Sequence, residues 1–176
     1  MTNRFLLFVE FLIEKLEGGA KIITDTGGLT KYGISQKGNP SVDIANLTKN
    51  DAIQIYREKY WNEFIEKLPA KTAFVYFDTL VNSPPDVPVK LLQTALNRIY
   101  KTNLKEDGIL GEKTKNCSQV LTGTCSDCEV SNLMLFLRIQ RYIDLAKQEK
   151  YKSSFMGWIS RCCTVNDFII QLKYNL

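Results

Sequence analysis

Glu17 stands where a carboxyl group is well placed to transfer a proton. At about 100° per residue, one face of a first helix collects Phe5, Phe8, Val9, Leu12 and Leu16. Glu17 comes at the edge of this apolar face, where desolvation raises the pKa of a carboxyl, as a general acid at neutral pH requires. Gly18 and Gly19 follow and leave the nearby surface free of side chains, so that a bulky substrate can approach. The alternative is a helix-terminal glutamate before an ordinary glycine cap.

Asp25 and Thr30 follow shortly after Glu17 in a segment that reads as a β-hairpin. Asp25 falls at the tip and Thr30 on the return strand, so both could face the end of the first helix. A raised-pKa acid, a second carboxylate and a hydroxyl that holds water form a set suited to glycoside hydrolysis. Each residue also has an ordinary explanation, because Asp is common in turns and Thr is common in strands.

The composition excludes several other chemistries. The 176 residues include no histidine, so Ser-His-Asp and Cys-His catalysis and His-ligated metal sites are ruled out. The net charge of +4 is mild. It suits an anionic partner such as a cell wall and is no footprint of nucleic-acid binding.

The five cysteines lie in the C-terminal third of the chain: Cys117, Cys125, Cys128, Cys162 and Cys163. An odd number cannot form a complete set of internal disulfides. Cys125 and Cys128 have the spacing of half a zinc site, but adjacent Cys162 and Cys163 could hardly complete it without strain. We expect reduced, packed thiols and no metal, with zinc or a disulfide formed after export as the alternatives.

The apolar runs of the chain are short. Phe5–Val9 and Phe11–Ile13 are separated by Glu10, which is far from a membrane span. Glu14 and Lys15 then follow where a signal peptide would need a small-residue cleavage site. We therefore expect a cytosolic product that needs another protein to reach a target outside.

Most of the sequence has helical periodicity. Thr2 or Asn3 can cap a helix to about Leu16, and Thr48 with Asp51 has the form of a capping box. Further helices are predicted from Pro69 to Asn82, over Val87–Tyr100, up to about Leu121, over Ser131–Lys150, and after Gly157 with Thr164 as its cap. Lys21–Thr24 and Leu29–Tyr32 are short β-prone runs that predict the hairpin. The prediction is a mainly α fold with one small β-hairpin.

The motifs in their order resemble glycoside hydrolase family 108, muramidases of phages and prophages that are related to bacterial secretion activators. The resemblance starts with Leu16–Gly19 (LEGG) and Asp25–Ile34 (DTGGLTKYGI). It continues through Ile55–Trp61, Phe77–Ser83 and Val89–Leu96. Asp107–Thr114 and Gly157–Arg161 resemble the helical peptidoglycan-binding module that usually follows the catalytic part.

The resemblance implies roles for three residues. Glu17 matches the catalytic acid of the family's Glu-Gly-Gly motif, and Asp25 and Thr30 match its following Asp and Thr. The chain departs from the pattern at Ala20, Thr26 and Pro84–Pro85, and the stretch between Glu17 and Asp25 is one residue short. These differences affect the match of the hairpin and of Asp25 to the family more than the match of Glu17.

Candidate substrate contacts lie in the matching motifs: Tyr32, Trp61, Asn82 and Trp158. Clefts for glycan strands use aromatic platforms and amide groups. For each aromatic residue the alternative is core packing, and Trp158 with Arg161 could instead close the C-terminal lobe onto the first helix.

We expect a lysozyme-like fold of two lobes, a catalytic lobe over 1–84 and a peptidoglycan-binding lobe over 85–176, with a cleft between them. The resemblance implies a monomeric endolysin-type muramidase that needs no cofactor. It would cut the β-1,4 bond between N-acetylmuramic acid and N-acetylglucosamine after synthesis in the host cytoplasm and release to the periplasm by a holin. A lytic transglycosylase and a non-catalytic peptidoglycan-binding or secretion-helper protein are the alternatives.

Overall fold

The computed structural model describes residues 3–25, 27–121 and 123–172, with the side chains of all but Asp25 and Thr124. The chain divides into two compact units, Met1–Trp61 and Asn62–Leu176. The prediction of a mainly α fold with one small β-hairpin is confirmed in the described residues, where a third strand extends the hairpin into a sheet. Within the described residues, no helix is both long and apolar enough to cross a membrane.

The described residues of the first unit form two α-helices, a π-helical turn and a small sheet. Its elements are α1 (Asn3–Phe11), a π-helical turn (Leu12–Leu16), β1 (Ile23–Asp25), β2 (Gly28–Lys31), β3 (Ile34–Ser35) and α2 (Lys49–Tyr60). The predicted capping box is present at the start of α2, where the Asp51 N–H donates to Thr48 Oγ1 over 3.2 Å and the Thr48 N–H donates to Asp51 Oδ2 over 3.1 Å. Thr2, the other predicted cap, lies outside the described residues.

The small sheet has three antiparallel strands in the order β1-β2-β3. In register, Ile23 lies opposite Thr30 and Asp25 opposite Gly28, so β1 and β2 form the predicted hairpin. The two-residue strand β3 adds to the other edge of β2, with Ser35 opposite Thr30. The sequence did not predict β3, because two residues are too few to show an alternating pattern.

The second unit is helical in its described residues. Its elements are α3 (Glu63–Lys67), α4 (Ala70–Asn82), α5 (Asp86–Tyr100), α6 (Glu112–Ser118), α7 (Thr124–Ala146), a 3-10 helix (Glu149–Ser154) and α8 (Phe155–Gln171). The 23-residue α7 packs against α4, α5 and α8. Helix α4 is buried along nearly its whole length, and its Phe74 ring lies 4.4 Å from that of Phe168 on α8.

Several predicted boundaries are wrong. Helix α8 begins at Phe155, so that Gly157 and Thr164 lie inside it. Thr164 is not a cap, since its hydroxyl donates to the Ser160 carbonyl one turn earlier over 3.1 Å. Helix α7 begins seven residues before the predicted Ser131, at Thr124. The short helix α3, capped by the Asn62 side chain, was not predicted.

Candidate functional site

The π-helical turn sets the position of Glu17. The Glu17 N–H donates to the Leu12 carbonyl over 3.0 Å, five residues back, instead of four as in an α-helix. Gly18 and Gly19 then take left-handed conformations, with φ of +74° and +61°. This is the conformation in which glycine is favoured and helices commonly end. Glu17 is therefore the last residue before a sharp turn of the chain, and its side chain is partly exposed.

The carboxyl group of Glu17 lies over the backbone of Gly33. A Cβ atom on Gly33 would come within 2.5 Å of Glu17 Oε2 and within 2.5 Å of Tyr56 Oη. Gly33 also has a φ of +77°, which side-chain-bearing residues rarely adopt. The absence of a side chain at this position leaves the space that the carboxyl and the phenol both occupy.

Two tyrosines of α2 face Glu17. Tyr56 is 1% exposed, and its hydroxyl donates to the Tyr32 carbonyl over 3.0 Å. Tyr60 lies one turn later, with its ring 5.8 Å from the Tyr56 ring. Burial raises the pKa of the Tyr60 hydroxyl, and the negative charge of Glu17 raises it further. Sequence reasoning missed both tyrosines, although their spacing of four residues on one helix face was a usable signal.

Thr30 lies on the middle strand of the sheet. Its Oγ1 is buried and has no hydrogen-bond partner in the part of the chain that the structure describes. The backbone of Asp25 ends β1 at the hairpin, and its side chain lies outside the described atoms. The catalytic roles of Glu17, Asp25 and Thr30 stay predictions.

Tyr32 and Trp61, two predicted substrate contacts, have different surroundings. Tyr32 is partly exposed and has a φ of +54°, and its N–H donates to the Gly19 carbonyl over 3.2 Å. It therefore belongs to the turn beside Glu17. Trp61 is 7% exposed, and its ring lies 5.3 Å from Phe5 and 5.8 Å from Phe8. Its surroundings match the core-packing alternative.

Asn82 and Trp158, the other two predicted contacts, come together in the second unit around Tyr142. The Asn82 amide donates to Tyr142 Oη over 3.1 Å. The Trp158 ring stacks on Tyr142 with centroids 4.9 Å apart and an interplanar angle of 24°, and Tyr151 lies on it at 5.7 Å. Asn82, Trp158 and Tyr151 are all partly exposed, so this cluster offers an aromatic and amide surface.

A buried ion network lies beneath this surface. Asp78 on α4 is fully buried and accepts hydrogen bonds from Arg138 over 2.5 Å and from Arg161 over 2.7 Å. Burial disfavours the charged carboxylate, but the two guanidinium groups outweigh it and hold the pKa of Asp78 below its ordinary value. Arg161 thus joins α8 to α4. Sequence reasoning missed Asp78, although an acid inside an apolar helix was a signal.

The cysteine side chains are all free thiols. The charge of Glu129 raises the pKa of the exposed Cys125, and burial raises that of Cys162. Raised pKa values keep both thiols protonated at neutral pH. Among the described residues, no group of three or more Cys, Asp or Glu side chains could hold a metal ion.

The comparisons with known proteins match both halves of the chain. Residues 11–83 match the family model described as Glycosyl hydrolase 108, and residues 87–163 match that described as Predicted Peptidoglycan domain. The solved structure of Brucella abortus SagA is 24% identical, with a TM-score of 0.69, over 93% of this chain and 94% of that chain. At this identity, the likeness shows a shared fold. The comparison with curated proteins gives no match. The resemblance that the sequence motifs indicate is confirmed.

Proposed function

We propose that the chain is a muramidase, on the premise that residues 11–83 match the Glycosyl hydrolase 108 model and residues 87–163 the Predicted Peptidoglycan domain model. It hydrolyses the β-1,4 bond between N-acetylmuramic acid and N-acetylglucosamine. The observation that carries the proposal is Glu17, a partly exposed residue at a glycine turn whose carboxyl lies beside Gly33 and Tyr56. Protein groups cover one side of this carboxyl, and no side chain of Gly18 or Gly19 obstructs a substrate.

In the proposed reaction, Glu17 donates its proton to the glycosidic oxygen as the bond to the sugar breaks. The transition state resembles an oxocarbenium ion. A nearby carboxylate either stabilises this positive charge or orients the water that attacks it. We assign this second role to Asp25, with Thr30 assisting. The buried Thr30 hydroxyl supports that assignment, because a water or a carboxylate would complete its hydrogen bonding.

The aromatic and amide surface around Trp158 supports a glycan as substrate. A sugar ring has apolar faces that pack on aromatic rings, while amide groups bond its N-acetyl and hydroxyl groups. We propose that Trp158 and Asn82 contact the wall, and that Tyr32 does so beside Glu17. Peptidoglycan is thus both the substrate and the binding partner.

The cellular location of the protein is proposed from the family resemblance alone. We infer that the protein is made in the cytoplasm of a bacterial host, acts as a phage-type endolysin and reaches the wall in the periplasm after a holin opens the membrane. Expression with and without a holin, followed by culture turbidity, tests this. Lysis without a holin would contradict it.

Glu17→Gln tests the muramidase proposal. The amide has nearly the shape of the acid but carries no proton to donate, so lysis of purified walls should fall by at least about 10²- to 10⁴-fold. Glu14→Gln is the matched control. Glu14 lies one turn earlier and forms a partly exposed ion pair with Lys49 over 2.8 Å, so this variant should lyse walls normally.

The products decide between related activities. A reducing muramic acid end is expected, whereas a 1,6-anhydro end would identify a transglycosylase. Retention of more than about a tenth of the activity by folded Glu17→Gln would contradict the assignment, given the size of general acid catalysis. Binding of walls by the wild type without any cleavage would identify a non-catalytic protein.

A further inference from the structure

The hydrogen bond made by Tyr56 determines what its oxygen can do toward Glu17. A phenol has one proton, and Tyr56 donates it to the Tyr32 carbonyl over 3.0 Å. The hydroxyl is buried, since Tyr56 is 1% exposed. Toward any other neighbour, Tyr56 Oη therefore offers lone pairs and acts as an acceptor.

Tyr56 Oη and the Glu17 carboxyl share the space above Gly33. Both Tyr56 Oη and Glu17 Oε2 come within 2.5 Å of the point where a Gly33 side chain would begin. An ionised carboxylate has only acceptor atoms, whereas a protonated carboxyl has an O–H to donate. An acceptor facing the carboxyl thus matches the protonated form and disfavours the ionised one.

The charged groups around the site do not cancel this preference for the protonated form of Glu17. On the helix that carries Glu17, Glu14 is the nearest other acid, and its charge is paired with Lys49 of α2 over 2.8 Å. Tyr60 of α2 is held neutral by its raised pKa. From the sheet, Lys31 points its ammonium to the Ala45 carbonyl over 3.2 Å and lies 5.5 Å from the Tyr32 ring.

We propose that Tyr56 is a positioning residue for the acid, accepting the Glu17 O–H so that the carboxyl stays protonated and aimed at the substrate until it protonates the glycosidic oxygen. Tyr56 keeps its own proton throughout, in its bond to Tyr32. The proton that leaves Glu17 goes to the oxygen of the departing sugar. The proposal rests on the proposed function of Glu17 and adds to it the source of the acid's protonated state.

Tyr56→Phe removes the acceptor and keeps the ring. The readout is the pH profile of kcat/KM for wall lysis, whose alkaline limb reports loss of the acid's proton. We expect that limb to move to lower pH by about one unit, with a fall in kcat of about tenfold at pH 7 and KM within about twofold of the wild type. Tyr76→Phe, a buried tyrosine of α4, is the matched control and should leave the limb in place.

The carboxyl can also be followed directly in the wild-type protein, in case Tyr56→Phe does not fold. Carbon NMR of labelled glutamate, with Glu17→Gln to assign the signal, gives the titration midpoint of Glu17. A midpoint at least one unit above the ordinary glutamate value of about 4.3 supports the proposal, and a midpoint at or below that value overturns it.

An alkaline limb that stays in place in folded Tyr56→Phe also overturns the proposal. If Glu17→Gln is inactive in the same assays, that failure concerns Tyr56 alone. If Glu17→Gln is active, it is the proposed function that fails.

Discussion

At the scale of single residues, the site depends on a side chain that is missing. Gly33 has a φ of +77°, and the space above it is filled by Glu17 Oε2 and Tyr56 Oη. An alanine here would meet both atoms within 2.5 Å and would also strain the backbone. The glycine thus fixes the relation between the acid and the tyrosine.

We predict that Gly33→Ala inactivates the protein more than it unfolds it. A displacement of about 1 Å at a catalytic group can cost about 10²-fold in rate, so wall lysis should fall by that order. Thermal unfolding measures the accompanying loss of stability. Gly111→Ala is the control, because a Cβ atom at Gly111 would meet no atom beyond the adjacent residues within 4 Å, and Gly111 has an ordinary φ of −86°. Equal activities of the two variants would refute the role of Gly33.

The position of Glu17 could be predicted from the sequence, but its neighbours could not. The apolar spacing before Gly18–Gly19 identifies the end of the helix, and residue types alone identify a candidate acid. Gly33 and Tyr56 approach Glu17 only because the chain turns at Tyr32–Gly33 and α2 packs against α1. Contacts between distant segments leave no periodic signal in a single sequence.

At the scale of elements, two features could not be predicted from the regular helical period: the turn before Glu17 and the start of α8. The prediction for Glu17 used 3.6 residues per turn, whereas the π-helical turn Leu12–Leu16 inserts a longer turn just before it and changes its direction. The boundary of α8 was missed because Gly157, a residue typical of helix ends, lies in its first turn. Long apolar helices such as α4 and α5 were predicted well, since their pattern extends over several turns.

Three helices of the second unit are joined by one buried charge, which leads to a prediction about stability. Asp78→Asn leaves Arg138 fully buried without its counter-ion, and breaking such a pair costs about 3–5 kcal/mol. Urea unfolding at pH 7 should show this loss. Asp144→Asn is the matched control, because Asp144 forms an exposed pair with Lys147 and should change stability by less than about 1 kcal/mol.

The pH dependence of that stability has a definite sign. The folded pKa of Asp78 is lowered, so its contribution is complete above the unfolded value of about 3.9 and is lost as the pH falls toward the folded value. The wild type should therefore lose stability below about pH 4 more steeply than Asp78→Asn does. Parallel acid unfolding curves would contradict the role of this carboxylate.

At the scale of the whole molecule, the proposed acid and the proposed wall-contacting surface belong to different compact units of the chain. The glycosyl hydrolase match ends at residue 83 and the peptidoglycan match begins at residue 87. Glu17 lies in the first compact unit, and the surface formed by Asn82, Tyr142 and Trp158 lies in the second. If the proposed roles hold, the residues that bind the polymer are separate from the acid, and the acid then contributes binding energy only in the transition state.

This separation predicts that a catalytically dead protein still binds the wall. Glu17→Gln in the same 176-residue chain should sediment with purified walls with an affinity within about twofold of the wild type, because a group that acts only in the transition state contributes little to ground-state binding. Trp158→Ala should show the reverse pattern, with weaker sedimentation and a raised KM but a nearly unchanged kcat. Circular dichroism checks that both variants are folded, which matters for Trp158 because its ring packs on Tyr142. Loss of wall binding by folded Glu17→Gln would show that Glu17 is a binding residue. Normal sedimentation of folded Trp158→Ala would show that the aromatic surface of the second unit does not contact the wall.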